Sequence, residues 1–229
     1  MATTAIPLAT MYDTIGADAR NIPAGALKAA GYVTGPSDIL WATAAWDRLT
    51  VAGKVRVDQS PAGDLYAAGM ADVYDMEQHA GTPARFALGA AERHHRGQPN
   101  CGYGSRDTLE QVAGYLDAIT DLGPGWWHGA GCWLADPSLS MAEASSLVGT
   151  EMFGGLLVEA VQWATPTSNP DTVVGTGTLK SLNLDLSVAR SGWFPAKNIP
   201  DPWQLQALSL SKALQADAAK LTQLLEAHQ

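Results

Sequence analysis

Eight short apolar segments recur along this 229-residue chain, at 10–15, 31–35, 54–59, 71–77, 100–105, 129–135, 156–163 and 182–188. Each is too short for a core-spanning helix, so each reads as a β-strand. Through the first two-thirds these segments alternate with helical or irregular stretches, the pattern that builds a parallel sheet with crossover connections. Eight such strands predict a closed barrel.

The connections differ between the two halves. Residues 83–97 open with Pro83 near a first turn, continue in Ala, Leu, Glu and Arg, and stop at Gly97; residues 106–119 form a second helix with Asp107 as its N-cap. A third helix is expected within 136–151. Residues 165–181 are rich in Thr, Gly, Pro and Asn and predict no helix, although Val173, Val174, Thr176 and Thr178 around Gly175 and Gly177 suit a small hairpin. The expected fold class is α/β: an irregular TIM-like β/α barrel with reduced helices in its second half, plus a C-terminal α-helix.

Two domains follow from the same pattern: the barrel at 1–196, then a linker and helix at 197–229. Within 203–228, Leu210, Leu214, Ala218, Leu221 and Leu225 recur every three or four residues, one apolar stripe. Such a stripe docks on its own barrel, on a second copy or on another protein.

Fourteen basic residues against 23 acidic ones leave a net charge of -9, which repels phosphate backbones. Nucleic acid and anionic membrane are therefore not expected partners, and an uncharged ligand is. The chain contains no apolar run of membrane-spanning length, and its first residues lack the basic and apolar regions of a signal peptide. Cys101 and Cys132 are too few for a disulfide scaffold and lack zinc spacing; they read as buried thiols, with a bridge open to them if their strands are neighbours. His94 and His95 diverge by about 100° on a helix and cannot share a metal, while His79 and His128 read as loop residues. Neither a phosphate loop nor a Gly-x-Ser-x-Gly elbow is present. No metal or cofactor is expected.

In a parallel barrel, function sits at the C-terminal ends of the strands. Asp13, Asp58, Asp75 and Glu77 fall at such ends, and Asp185 lies in the last strand. Asp75 and Glu77 are two positions apart, which turns both to one face with Cα atoms roughly 6.6 Å apart. Paired acids at such a spacing suit glycoside hydrolysis, with one proton donor and one base, nucleophile or charge stabiliser. Taken singly, each acid also fits a structural or solvated role. Tyr32, Tyr103, Trp133 and Trp163 belong to the same strands and offer rings on which sugars stack; Trp126 and Trp127, after Gly123-Pro124-Gly125, suit a rim.

The chain resembles the glycoside hydrolase family 25 superfamily, and within it the divergent actinobacterial and actinophage branch described as glycoside-hydrolase-like. The residues that carry the resemblance are Tyr12-Asp13, Tyr32-Val33-Thr34-Gly35, Asp75-Met76-Glu77 with Thr82-Pro83, Cys132-Trp133-Leu134-Ala135, Val161-Gln162-Trp163 and Leu184-Asp185-Leu186-Ser187. The resemblance implies a general acid at Glu77, an assisting carboxylate at Asp75 and supporting acids at Asp13 and Asp185. Substrate contacts are then expected from Asp58, Tyr32, Tyr103, Trp133, Gln162 and Trp163. Its implied substrate is peptidoglycan or another cell-surface glycan, cut in the manner of a muramidase. Residues 78–81 replace the family's compact turn, and Ala164 stands where an aromatic is common.

Two functions follow as expectations. One is a phage-type cell-wall hydrolase. The other is a non-enzymatic virion protein, a minor tail or tail-tip subunit that uses the barrel for assembly or glycan binding and its helix for self-association or attachment to other tail proteins. The location implied is the virion tail, or the host cytoplasm before release.

Overall fold

Eight strands close into a barrel in the computed structural model, which describes residues 6–35, 37–49, 51, 53–77 and 81–193. They are β1 (Leu8–Asp13), β2 (Lys28–Tyr32), β3 (Gly53–Asp58), β4 (Val73–Asp75), β5 (Cys101–Ser105), β6 (Gly131–Ala135), β8 (Leu156–Ala164) and β11 (Asp185–Arg190). A two-residue strand, β7 (Glu151–Met152), pairs with the start of β8, and β9 (Val173–Val174) with β10 (Gly177–Thr178) makes the anticipated hairpin. The barrel order is β1 to β6, then β8, then β11, which returns to β1.

Seven of these strands run parallel, and the eighth does not. β11 is antiparallel to both β8 and β1, so the parallel pattern expected over the first two-thirds of the chain does not extend to the last strand. The cause is the preceding connection. A parallel return needs a crossover long enough to carry the chain back to the far end of the barrel. Residues 165–184 hold only the hairpin and the single-turn α6 (Leu179–Leu182), so the chain re-enters at the end it has just left. A residue at the start of β11 therefore lies at the same mouth as residues at the ends of the other strands.

Five further helices decorate the wall: α1 (Thr43–Arg48), α2 (Asp64–Ala67), α3 (Pro83–His94), α4 (Arg106–Asp117) and α5 (Met141–Leu147). α3 starts where Thr82 accepts a hydrogen bond from Arg85 N and Pro83 supplies a first residue with no N–H to lose. α4 is capped by Ser105, whose Oγ accepts from Thr108 N at 3.3 Å; Asp107, the expected cap, lies in its first turn. α5 carries a Ser140–Glu143 capping box and fills only part of 136–151. Among the described residues, no helix is long and apolar enough to cross a membrane. The anticipated helix at 203–228 and the boundary at 196 lie outside the described residues.

Side chains at every second position fill the interior: Met11, Ala30, Val55, Val73, Trp133 and Ala160 are all buried in one cluster. Trp133 packs at a tilt against Tyr103, with ring centroids 4.6 Å apart, and its Nε1 donates to Ser187 Oγ at 3.0 Å. At the end where the parallel strands begin, the barrel is stopped by Trp193 and by Lys28, whose Nζ donates to the Trp193 carbonyl. Burial lowers the Lys28 pKa, with Glu159 opposing. Gly31 is required on the outer wall. A Cβ there would stand 2.3 Å from the Trp41 ring, which lies flat on β2 and donates Nε1 to the Thr14 carbonyl at 2.8 Å. Cys101 and Cys132 are both buried free thiols, and Cys132 pairs in register with Gly102.

Candidate functional site

The strand ends converge on a cavity of about 490 Å³ whose wall includes Asp13, Asp185, Glu77, Tyr32, Tyr103 and Gln162. Two strands meeting antiparallel supply the first pair. Asp13, the last residue of β1, is the register partner of Asp185, the first of β11. Asp13 is 3% exposed, and its Oδ1 has no hydrogen-bond partner. Burial raises the Asp13 pKa well above the usual carboxylate range, and Asp185, Asp75 and Glu77 add to that rise through their charges. Asp185 is pushed up to about 7, again first by burial and then by Glu77, against a hydrogen bond with Gln162.

Asp75 and Glu77 share this end of the barrel, but not in the same way. β4 ends at Asp75 because the Asp75 carboxylate folds forward: Oδ1 accepts from Glu77 N at 2.8 Å and takes the place of a ladder partner. Oδ2 accepts from Gln59 Nε2 at 3.2 Å. Asp75 is 1% exposed and stands behind the cavity wall, with its pKa pushed up to about 7 by burial above all. Glu77 lies two residues beyond the strand, exposed at the mouth and lining the cavity. Protein atoms crowd its carboxyl enough to raise the pKa, while the neighbouring Tyr103 hydroxyl pulls it down. The strand anticipated over 71–77 thus separates into a buried acid that holds the turn and an open acid that the turn presents.

Gln162 ties the two pairs together. Its Oε1 accepts from the Tyr103 hydroxyl at 2.6 Å, which turns its amide nitrogen toward the acids and accounts for the bond to Asp185. Burial and the surrounding carboxylates raise the pKa of both Tyr32 and Tyr103, so both hydroxyls remain donors. No Lys, Arg or His lines the cavity among the described residues. Nor does any group of three or more His, Cys, Asp or Glu among them stand where it could hold a metal ion.

Three residues anticipated as substrate contacts lie elsewhere. Asp58 is fully buried on the outer side of β3, where its Oδ1 accepts from Thr34 Oγ1, Ser60 N and Ser60 Oγ and its Oδ2 from Tyr66 N. That carboxylate organises the loop into α2 and is not on the cavity wall. Trp133 is 1% exposed in the barrel interior beneath the cavity, because a barrel this narrow needs bulky filling. Trp163 follows an inward Gln162, so it faces out, into a shallow surface hollow shared with Tyr12, Met141 and Val173.

Trp126 and Trp127 also miss the mouth. They precede β6 and therefore lie toward the opposite end, with Trp127 Nε1 donating to Asp117 at 2.8 Å and Trp126 edge-on to His94. His128 sits against Trp127, and His79 lies outside the described residues.

Several wall residues were not anticipated: Thr14, Ile15, Ser105, Pro137, Thr165 and Asn183. Ser105 was legible, since it is two positions beyond inward Tyr103. Asn183 was not, because its place depends on the reversal of β11. Its backbone is left-handed, with φ of 51°, and its carbonyl accepts from Thr14 Oγ1 at 2.6 Å, so it joins two rim segments far apart in sequence.

No family model, curated protein or solved structure matches the chain.

Proposed function

We propose that the protein is a glycoside hydrolase of muramidase type, built on a TIM-like barrel of the family 25 kind and acting on peptidoglycan or a related cell-surface glycan. The observation that carries the reading is the convergence of Asp13, Glu77 and Asp185 on one open cavity that also presents Tyr32, Tyr103 and Gln162. Cleaving a glycosidic bond needs a protonated acid beside the leaving oxygen and negative charge near the anomeric carbon. Glu77 suits the first role, being exposed in the cavity and held above the ordinary glutamate pKa. Asp75 acts through Glu77 as a positioning residue, fixing the backbone that carries it. Asp185 and Asp13 line the same cavity and supply negative charge as they ionise, Asp185 only near and above about pH 7.

The test is release of reducing ends from actinobacterial peptidoglycan by the full chain, beside a lysozyme control. Turnover that Glu77→Gln abolishes supports the reading. Binding of the glycan with no turnover at any pH between about 4 and 8 would replace it with the second one, a virion protein whose barrel serves adhesion or tail assembly.

A further inference from the structure

Asp13 presents a chemical demand that the hydrolytic reading leaves unmet. Asp13 lines the cavity, and its buried Oδ1 has no hydrogen-bond partner. A buried polar atom of this kind is costly to leave bare, so the site is completed by something that arrives from the cavity. Opposite it in register stands Asp185, with Asp75 and Glu77 close enough to raise the cost of charging Asp13. Tyr32 and Tyr103 face the same space as neutral hydroxyls, and among the described residues no cationic side chain lines it. A neutral hydroxyl or amide N–H satisfies one oxygen but does nothing for the repulsion that arises when both carboxyls ionise. A cation satisfies the oxygen and offsets the repulsion.

We propose that Asp13 and Asp185 form a subsite for a protonated primary amine, the 2-ammonium group of a hexosamine that carries no N-acetyl substituent. The inference rests on the glycan reading above and narrows it: the preferred substrate is a glycan strand at least partly de-N-acetylated. The ammonium donates to Asp13 Oδ1 and lies against the Asp185 carboxyl. Gln162, held by Tyr103, keeps Asp185 turned to receive it. Because the cation favours the ionised acids, its binding expels protons from the pair.

Calorimetry with the full chain at about pH 6, where such an amine is charged, compares a glucosamine tetramer with its fully N-acetylated counterpart. The free-amine tetramer is expected to bind at least about tenfold tighter, with an enthalpy that varies with the ionisation enthalpy of the buffer. Asp13→Asn and, separately, Asp185→Asn bring the ratio of the two affinities toward one. Asp121→Asn, on the exposed surface away from the cavity, leaves the ratio unchanged and so excludes a general effect of the net negative charge.

Equal or weaker affinity for the free amine, a preference that survives both cavity variants, or no binding of either tetramer overturns the subsite. Peptidoglycan hydrolysis without amine preference overturns the subsite alone. Amine preference without hydrolysis upholds the subsite and overturns the hydrolase.

Discussion

Asp13 and Asp185 face one another across the β1–β11 register, two carboxyls brought together because the last strand runs against its neighbours. Both acids have folded-state pKa values above their unfolded ones, Asp185 at about 7. Between about pH 4, the unfolded value, and 7 the native state holds protons that the unfolded chain has released, so these groups make stability fall as pH rises. Asp185→Asn has no proton to lose. It is expected to stabilise the protein by about 1–3 kcal/mol at pH 8 and to change little at pH 4. Thermal melts at the two pH values check this, at roughly 2–4 °C per kcal/mol for a chain of this size. An equal shift at both values would separate the effect from ionisation.

Glu77→Gln is expected to lower the rate of glycan cleavage by about 10²–10⁴-fold, the usual cost of losing a general acid. Because Glu77 is exposed at the mouth, the stability of the variant should stay within about 0.5 kcal/mol of the parent. Activity of the parent declines as pH rises through the Glu77 pKa, which lies above the ordinary glutamate value. The residual activity of the variant lacks that alkaline limb, as a pH–rate profile reveals.

Tyr103→Phe keeps the ring on Trp133 and removes the hydroxyl that holds Gln162. The buried amide oxygen loses its partner, for a stability cost of about 1–3 kcal/mol. Gln162 keeps only its bond to Asp185, so glycan affinity should drop, and the Glu77 pKa rises because the hydroxyl that lowers it is gone. Titration calorimetry beside single-turnover rates distinguishes weakened binding from weakened chemistry.

Asp58→Ala strips four hydrogen-bond donors of their acceptor in the loop that leads to α2. We expect a loss of about 2–4 kcal/mol with no change in ligand affinity for the fraction that remains folded. Denaturant unfolding and calorimetry on the same sample settle it; reduced affinity at full occupancy of the native state would return Asp58 to the site.

Trp163→Ala, on the outer wall, should leave glycan binding unchanged, whereas Tyr32→Ala, inside the cavity, should weaken it by roughly tenfold through lost ring contact. The pair of affinities checks which face of the barrel meets the ligand.

The sequence by itself determined the number of barrel strands, the hairpin at 173–178 and the inward parity of Asp13, Tyr103 and Gln162, because these follow from local alternation and turn chemistry. Parity also placed Asp58 outside, since Val55 and Val57 point in, although its position at a strand end drew it into the expected site. Tertiary structure decided the rest. Nothing local states that β11 reverses, since strand direction depends on where a connection leaves the chain; only that reversal sets Asp185 opposite Asp13. Burial likewise divided Asp75 from Glu77, as two acids equivalent by spacing met different surroundings. A strand's pattern says which way a side chain points, and only the closed barrel says what it then faces.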